Sequence, residues 1–197
     1  MSGANNNYGR TRLDVLSAVA RGASLAETDL KNLDLSGVDF SGISLASTIL
    51  WMTNLTGANM SNCDLTRTQM QRANLTDADL SRSNLAGADM RFVVARRANL
   101  FEANLTKCDL GDSDFQGADL TGAIMVGRGK EHPLTLHADF SDANFTRADL
   151  ELADLSHVNL TDADFGCANL FKADLRNSQV QGANFKGATM PDGTIRD

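Results

Sequence analysis

Carboxylates are the most abundant candidates for chemistry. Of the 25 Asp and Glu residues, 14 are Asp at a strict five-residue spacing or a multiple of it, beginning at Asp29, Asp34 and Asp39 and ending at Asp174. General acid–base catalysis needs two such groups converging on one cleft. A spacing of five carries successive carboxylates onto different faces, so no pocket gathers them. They are suited to accept hydrogen bonds from turn amides. The other 11 acids are outnumbered by 18 Lys and Arg, so the net charge of −7 is largely a by-product of the repeated Asp. It still creates a field around the molecule.

The remaining reactive residues are scattered. Cys63, Cys108 and Cys167 are odd in number and form neither a disulfide framework nor a metal-ligand pair, so free thiols are expected, the first two buried and the third accessible. His132 and His137 are five apart with no further fixed ligand, and His157 is isolated. GRGK at 127–130 lacks the second glycine spacing and the following Ser or Thr of a phosphate loop. It reads as a flexible loop with a basic tip, with Arg128, Lys130 and His132 as candidate contacts. No catalytic residue, cofactor or metal is assigned.

The elements that must position these residues follow from one recurring phrase. Residues 71–90 read QRANLTDADLSRSNLAGADM, with one large residue at every fifth position. With that residue numbered i, every i from Leu25 to Met125 and from Phe140 to Met190 is a multiple of five. Of these 32 positions, 31 are Leu, Phe, Met or Val, and the exception is Ala95. Small residues such as Ala58, Ala73 and Ala88 occupy i−2, and i−1 is mostly Asp or Asn. Residues two apart on a strand share a face, so i−2 and i point inward while i−1 faces solvent. Five is odd, so the alternation must break at a corner, where Gly, Ser, Thr, Asp and Asn at i+1 and i+2 supply turn chemistry. An inward strand and a corner, repeated, wind a β-solenoid.

Phe145, Phe165 and Phe185 recur every twenty residues, as expected if four phrases make one coil and the rings stack. Phe115 joins that stack only if ten residues loop out, and the phrase fails at VGRGKEHPLT, residues 126–135. Setting the insertion aside leaves 32 phrases, or about eight coils, and a rod about 38 Å long at the ~4.8 Å strand spacing.

The phrases ANLTD, ADLSR, ANLFE, ADLEL and ANLFK resemble the A(D/N)LXX repeat of the pentapeptide repeat family. The resemblance covers residues 23–192 and implies an all-β solenoid, a right-handed quadrilateral parallel β-helix. The expected organisation is a flexible tail at 1–10, a capping α-helix at 11–22, the β-helix at 23–192 interrupted at about 126–137, and a C-terminal tail at 193–197. In TRLDVLSAVARG, Thr11 is the expected N-cap, Asp14 follows three residues on, and Gly22 is the stop. Leu13, Leu16 and Ala20 form one stripe, with Val15 and Val19 beside it, suited to cover the first coil. At i−2, Leu33, Val38 and Ile43 would fill a wide junction beneath it. No helix is expected at the other end. Its last coil is either closed by the turn at 191–193 or covered by a second copy, with Phe185, Met190 and Ile195 as the candidate dimer end.

Large outward residues are rare in such a pattern. Trp51, Met52 and Phe92 fall on one side of the rod two coils apart, about 10 Å. Arg91, Arg96 and Arg97 flank them, and Trp, Met and Arg favour interface cores. The alternative is a local bulge at RFVVARR in which Phe92 folds inward to compensate for Ala95. Phe101 and Phe171 are expected to share another face.

There is no apolar run long enough for a membrane span, and MSGANNNYGRTR lacks the apolar stretch of a secretory signal, so a cytoplasmic protein without membrane contact is expected. The leading expectation is a non-enzymatic rigid scaffold that binds another protein, with direct nucleic-acid binding not expected. Family resemblance implies two rivals. One is a DNA mimic that binds DNA gyrase or topoisomerase IV and protects from quinolones, and the other is a secreted effector.

Overall fold

A computed structural model describes residues 10–125 and 137–197. Its organising element is the five-residue phrase. The i−1 residues pair in parallel with those twenty residues away, producing four ladders. Face 1 begins Asp29–Ile49–Gln69–Asp89–Asp109, face 2 Asp34–Asn54–Asn74–Val94–Asp114, face 3 Asp39–Asn59–Asp79–Asn99–Asp119, and face 4 Ser44–Asp64–Asn84–Asn104–Ile124. Between coils, the N–H of each i residue donates upward to an i−1 carbonyl, as from Leu55 to Asn74 at 2.8 Å. Leucines, phenylalanines and methionines at i and small residues at i−2 form one continuous buried column.

Ser, Thr and Cys are tolerated at i−2 because their polar atom returns to a carbonyl. Thr48 Oγ1 donates to the Leu25 carbonyl at 2.8 Å and Ser83 Oγ to that of Leu80 at 2.6 Å. The thiols of Cys63 and Cys108 donate likewise to the carbonyls of Phe40 and Leu85. Burial pushes these two thiols up to about 11 and about 12, which leaves them unreactive. Cys167, at i+2, is exposed.

Most corners are β-turns closed by a bond from the next i−2 amide to the i carbonyl, as from Ala58 to Leu55 at 3.0 Å. The i+2 residue is left-handed, the conformation of a type II turn that favours glycine. Gly57 and Gly87 supply it at φ 63° and 72°, but so do Arg72, Phe92 and Leu152 at φ 61°, 59° and 59°. The surrounding bonds enforce this conformation. The i+2 amide donates to the coil above, and the i+1 amide donates to the Asp or Asn at i−1, as from Ser41 to Asp39 Oδ1 at 3.0 Å.

The insertion is shorter than ten residues in register. Asp114, Asp119 and Ile124 pair with Asp139, Asn144 and Asp149, a step of 25 that accommodates one extra phrase. Phe115 therefore stacks on Phe140, with centroids 5.2 Å apart, and not beneath Phe145. Phe140 meets Phe145 edge-on at 5.3 Å, and the parallel stack Phe145–Phe165–Phe185 continues at 4.9 and 5.0 Å. One ladder step below Phe115 lies Ala95, so the smallest i residue sits under a pair of stacked rings. The same five-residue step moves Phe171 to the edge between faces 4 and 1, whereas Phe101 lies between faces 3 and 4, so the two do not share a face.

Helix α1 spans Arg12–Val19. Thr11 and Asp14 form a reciprocal capping box, with the Thr11 amide donating to Asp14 Oδ2 at 2.8 Å. Gly22, at φ 62°, ends the segment with bonds from Gly22 to Val19 and from Ala23 to Ala18. The buried side chains are Val15 and Ala18, with Val19 packed beside them. The expected Leu13–Leu16–Ala20 stripe faces outward, and Leu13 is 75% exposed. Burial of Val15 and Ala18 goes with this rotation, and Arg12 reinforces it. Its guanidinium donates to the carbonyls of Asp34 and Ser36, and Val15 and Val19, three and seven residues on, share its side of the helix. Beneath, Val38 is buried and Leu33 and Ile43 are half-buried, while Leu25, Leu30, Leu35 and Phe40 are fully covered.

At the other end, residues 194–196 return antiparallel along face 4. Ile195 bridges Thr189, and Gly187 and Met190 donate to the carbonyls of Arg196 and Thr194. The turn at 191–193 thus closes one face of the last coil. On the other three, the amides of Leu175, Asn177, Val180, Gly182 and Phe185 find no backbone acceptor among the described residues. Val180 is 41% exposed, and Leu175, Phe185 and Met190 are half-buried.

Candidate protein-binding edge

Twenty residues per coil place every i+1 and i+2 residue in a vertical file along one of four edges. Most files carry small or polar residues. The edge between faces 1 and 2 is different, reading upward Lys31, Trp51–Met52, Gln71–Arg72 and Arg91–Phe92. Trp51, Met52 and Phe92 are each 40–49% exposed. Phe92 does not fold inward. The i−2 and i positions beside it are filled by Val93 and Ala95, both buried, and the ladder passes through Val94 without interruption. An open depression of about 450 Å³ lies along this edge, lined by Lys31, Ile49, Trp51, Gln71, Arg72 and Phe92 together with Gln69 and Arg91.

The geometry divides the six residues singled out from the sequence. Trp51, Met52, Arg91 and Phe92 share the edge between faces 1 and 2, whereas Arg96 and Arg97 lie on the next edge, between faces 2 and 3. All three arginines bind carboxylates of the rod. Arg91 bridges Asp89 at 2.6 Å and Asp109 at 3.5 Å, Arg96 pairs with Asp114, and Arg97 meets Asp77 at 2.7 Å. Burial opposes ionisation of Asp89, but the bonds from Arg91 and Gln71 prevail and hold its carboxyl below the ordinary range. The Arg97 side-chain bond lowers Asp77 in the same way. The Arg91 pairs answer a repulsion that successive phrases conceal, because every fourth phrase returns to the same face and stacks Asp89 under Asp109.

The sequence spacing already puts Gln71 and Arg72 between Trp51 and Phe92, but does not give the contact that Arg72 makes there. The Arg72 Cζ lies 5.1 Å from the Phe92 ring centroid, a cation–π contact between neighbouring coils. The available signal was the twenty-residue offset between an arginine and a phenylalanine at i+2. Arg128, Lys130 and His132 lie outside the described residues. Phe185 and Met190 are half-buried at the C-terminal end and Ile195 is 70% exposed. Beside them, a hollow of about 570 Å³ runs along face 1 between Leu152, Leu175 and Pro191. No cluster of His, Cys, Asp and Glu among the described residues could hold a metal ion, and no described helix is long and apolar enough to cross a membrane.

Eight copies of the pattern described as pentapeptide repeats match residues 17–42, 23–62, 39–77, 53–91, 73–112, 98–127, 138–177 and 168–192. The chain belongs to the pentapeptide repeat family. Members are right-handed quadrilateral β-helices. Among solved structures, the chain is similar to HetL, a pentapeptide repeat protein involved in heterocyst differentiation regulation from the cyanobacterium Nostoc sp. strain PCC 7120. That likeness has 24% identity over 95% of this chain and 100% of that one, with a TM-score of 0.36. QnrB1, a plasmid-mediated fluoroquinolone resistance protein, matches at 16% identity over 80% of this chain and 84% of its own, with a TM-score of 0.49. The pentapeptide repeat protein alr5209 from Nostoc PCC 7120 is 35% identical over 48% of this chain and 66% of its own, with a TM-score of 0.28. Comparison with curated proteins returns no match.

Proposed function

We propose that this chain is a non-enzymatic, rigid protein-binding module of about eight coils, closed at its N-terminal end by α1 and acting in the cytoplasm. The observation that carries this reading is the edge between faces 1 and 2, where half-exposed Trp51, Met52 and Phe92 line up beside Arg72 and Arg91. Trp, Met and Arg in a pre-organised patch bind partners at little cost in ordering. The interior is filled by stacked side chains, and the outward Asp and Asn are engaged with turn amides, so the polar surface serves the fold. The contact loop at Arg128, Lys130 and His132 would supplement the edge.

The test is affinity capture from lysate with the native chain and with a folded Trp51→Glu/Phe92→Glu variant. A protein retained by the native chain and lost by the variant is the expected result. Equal capture by both removes the edge from the proposal, and recovery of a type II topoisomerase by both baits favours DNA mimicry instead.

The same module is proposed to pair with a second copy through its C-terminal coil. Support comes from the half-buried Phe185 and Met190, the exposed Val180 and Ile195, and the five amides without a backbone acceptor among the described residues. Sedimentation equilibrium of the native chain and a Val180→Lys/Ile195→Lys variant tests this. A dimer reduced to a monomer supports pairing, and a native monomer at high micromolar concentration rejects it.

A further inference from the structure

Among the described residues, the edge between faces 1 and 2 holds one Arg or Lys without an ion pair. Lys31 pairs with Asp29 at 3.0 Å, and Arg91 is taken up by Asp89 and Asp109. Asp89 also accepts from Gln71 at 2.6 Å, so it is occupied by its neighbours. Arg72 has no ion pair among the described residues, and its guanidinium rests on Phe92. A cation–π contact uses the charge but leaves the five N–H donors available. Around it stand Trp51 and Met52 one coil below and Phe92 one coil above, with half-buried Ile49 on the adjoining face.

We infer that this edge receives an acidic amphipathic helix of a protein partner, with one carboxylate seated on Arg72 and an apolar side chain on either side of it. The inference rests on the protein-binding reading above and adds the chemistry of the partner. Pitch selects the helix. The coils rise by about 4.8 Å each, and residues three apart on a helix share a face and advance about 4.5 Å. An apolar residue, an Asp or Glu three places on, and a second apolar residue four further on share one face, advance about 10.5 Å against about 9.6 Å for two coils, and would meet Trp51 and Met52, Arg72 and Phe92 in turn. An extended segment repeats on one face every ~6.7 Å and falls out of step. The backbone donors of the edge do not match a strand either: the amides of Met52, Arg72 and Phe92 already bond to Gln71, Arg91 and Gly111 at 3.0–3.1 Å, and those of Trp51 and Gln71, for which no acceptor is found among the described residues, are one coil apart, short of a strand's ~6.7 Å step. Nucleic acid is disfavoured, because binding a phosphate backbone takes several cations, whereas here one is unpaired on a chain of net charge −7.

A helix-locked peptide library, randomised over nine central positions, is selected against the native chain and counter-selected against Trp51→Glu/Phe92→Glu. Enriched peptides are expected to carry an acid flanked at three or four residues by Leu, Ile, Phe or Met. The best peptide should bind Arg72→Glu at least about tenfold more weakly, as for a truncated interfacial charge pair. Replacing its acid by Lys should restore binding to Arg72→Glu, a rescue that a misfolded variant could not give. Arg72→Gln should lose affinity without gaining the Lys peptide.

Enrichment without an acid, unchanged affinity for Arg72→Glu, or displacement of the peptide by duplex DNA overturns the inference. So does a selection that yields no binder. If binding is lost with Trp51→Glu/Phe92→Glu but kept with Arg72→Glu, the acidic helix is rejected and the protein-binding edge stands. If lysate capture and peptide selection both fail, both are rejected.

Discussion

Asn99 and Asp79 account for a choice that the phrase leaves open. Either residue can accept the i+1 amide through Oδ1, as Asn99 does from Phe101 at 3.1 Å and Asp79 from Ser81 at 2.9 Å. Only Asn can also donate to the carboxylate one coil below, and Asn99 Nδ2 does so to Asp79 Oδ1 at 3.0 Å. Face 3 alternates without exception, Asp39, Asn59, Asp79, Asn99, Asp119, Asn144, Asp164, Asn184, which keeps like charges apart along the ladder. Asn99→Asp should remove the inter-coil bond, line up three carboxylates at 79, 99 and 119 and cost about 1–2 kcal/mol at neutral pH. Urea unfolding at pH 7 and near pH 3 measures this, with the loss expected to shrink once the carboxylates are protonated.

The native carboxylates give their own pH signature. The Ser36 hydroxyl and amide lower Asp34, the Ser41 amide and hydroxyl lower Asp39, and the Arg97 side chain lowers Asp77. A carboxyl lowered on folding adds stability that is complete above its unfolded value of 3.8 and is lost as pH falls through the folded value. The urea midpoint should hold steady from about pH 8 to pH 5 and fall below about pH 4.

At the scale of the coil, Ala95 is the informative exception. Phe115 stacks on Phe140 one and two ladder steps above it, and Val93 fills the adjacent inward position, so the column is closed without a large residue at 95. Ala95→Leu, which restores the repeat's preferred residue type, should therefore destabilise by about 1–3 kcal/mol through overpacking. Thermal unfolding is the check, and a rise in midpoint would show unused space under Phe115.

The inward column and the Asp and Asn caps were legible because the phrase keeps a fixed phase with the strand's alternation. The closure across the insertion was not, because any multiple of five preserves that phase. Only the pairing of Asp114 with Asp139 distinguishes one extra phrase from two. The rotation of α1 escaped for a different reason. The helix carries two apolar stripes, Leu13–Leu16 and Val15–Val19, and periodicity does not choose between them; the buried one lies on the side where Arg12 reaches two backbone carbonyls, which leave no mark on side-chain periodicity. The edge was partly readable, because Trp51, Met52 and Phe92 break the polar rule for corners, but the pairing of Arg91, Arg96 and Arg97 within the rod required coordinates.

Across the whole molecule the two ends are unequal. Leu25, Leu30, Leu35 and Phe40 are sealed, whereas Leu175, Phe185 and Met190 are half-buried and Val180 is exposed. In a stack where each coil holds only its neighbours, opening should begin at the weaker end. Amides of Leu175, Asn177, Val180, Gly182 and Phe185 should exchange with solvent much faster than those of Leu155, His157, Leu160, Asp162 and Phe165, which bond to the coil above at 2.7–3.1 Å. Hydrogen exchange resolved to single amides tests the gradient. Protection of the first set that grows with protein concentration would reveal pairing at that end.

The solitary tryptophan has a practical consequence. Trp51 is the only indole in the chain and stands 40% exposed on the edge between faces 1 and 2. The molecule therefore carries an intrinsic fluorophore where recognition is proposed and none at the C-terminal coil. A partner seated on the edge should dry the ring and move its emission to the blue, whereas end-to-end pairing should leave the spectrum unchanged, so one cuvette separates the two events without a label.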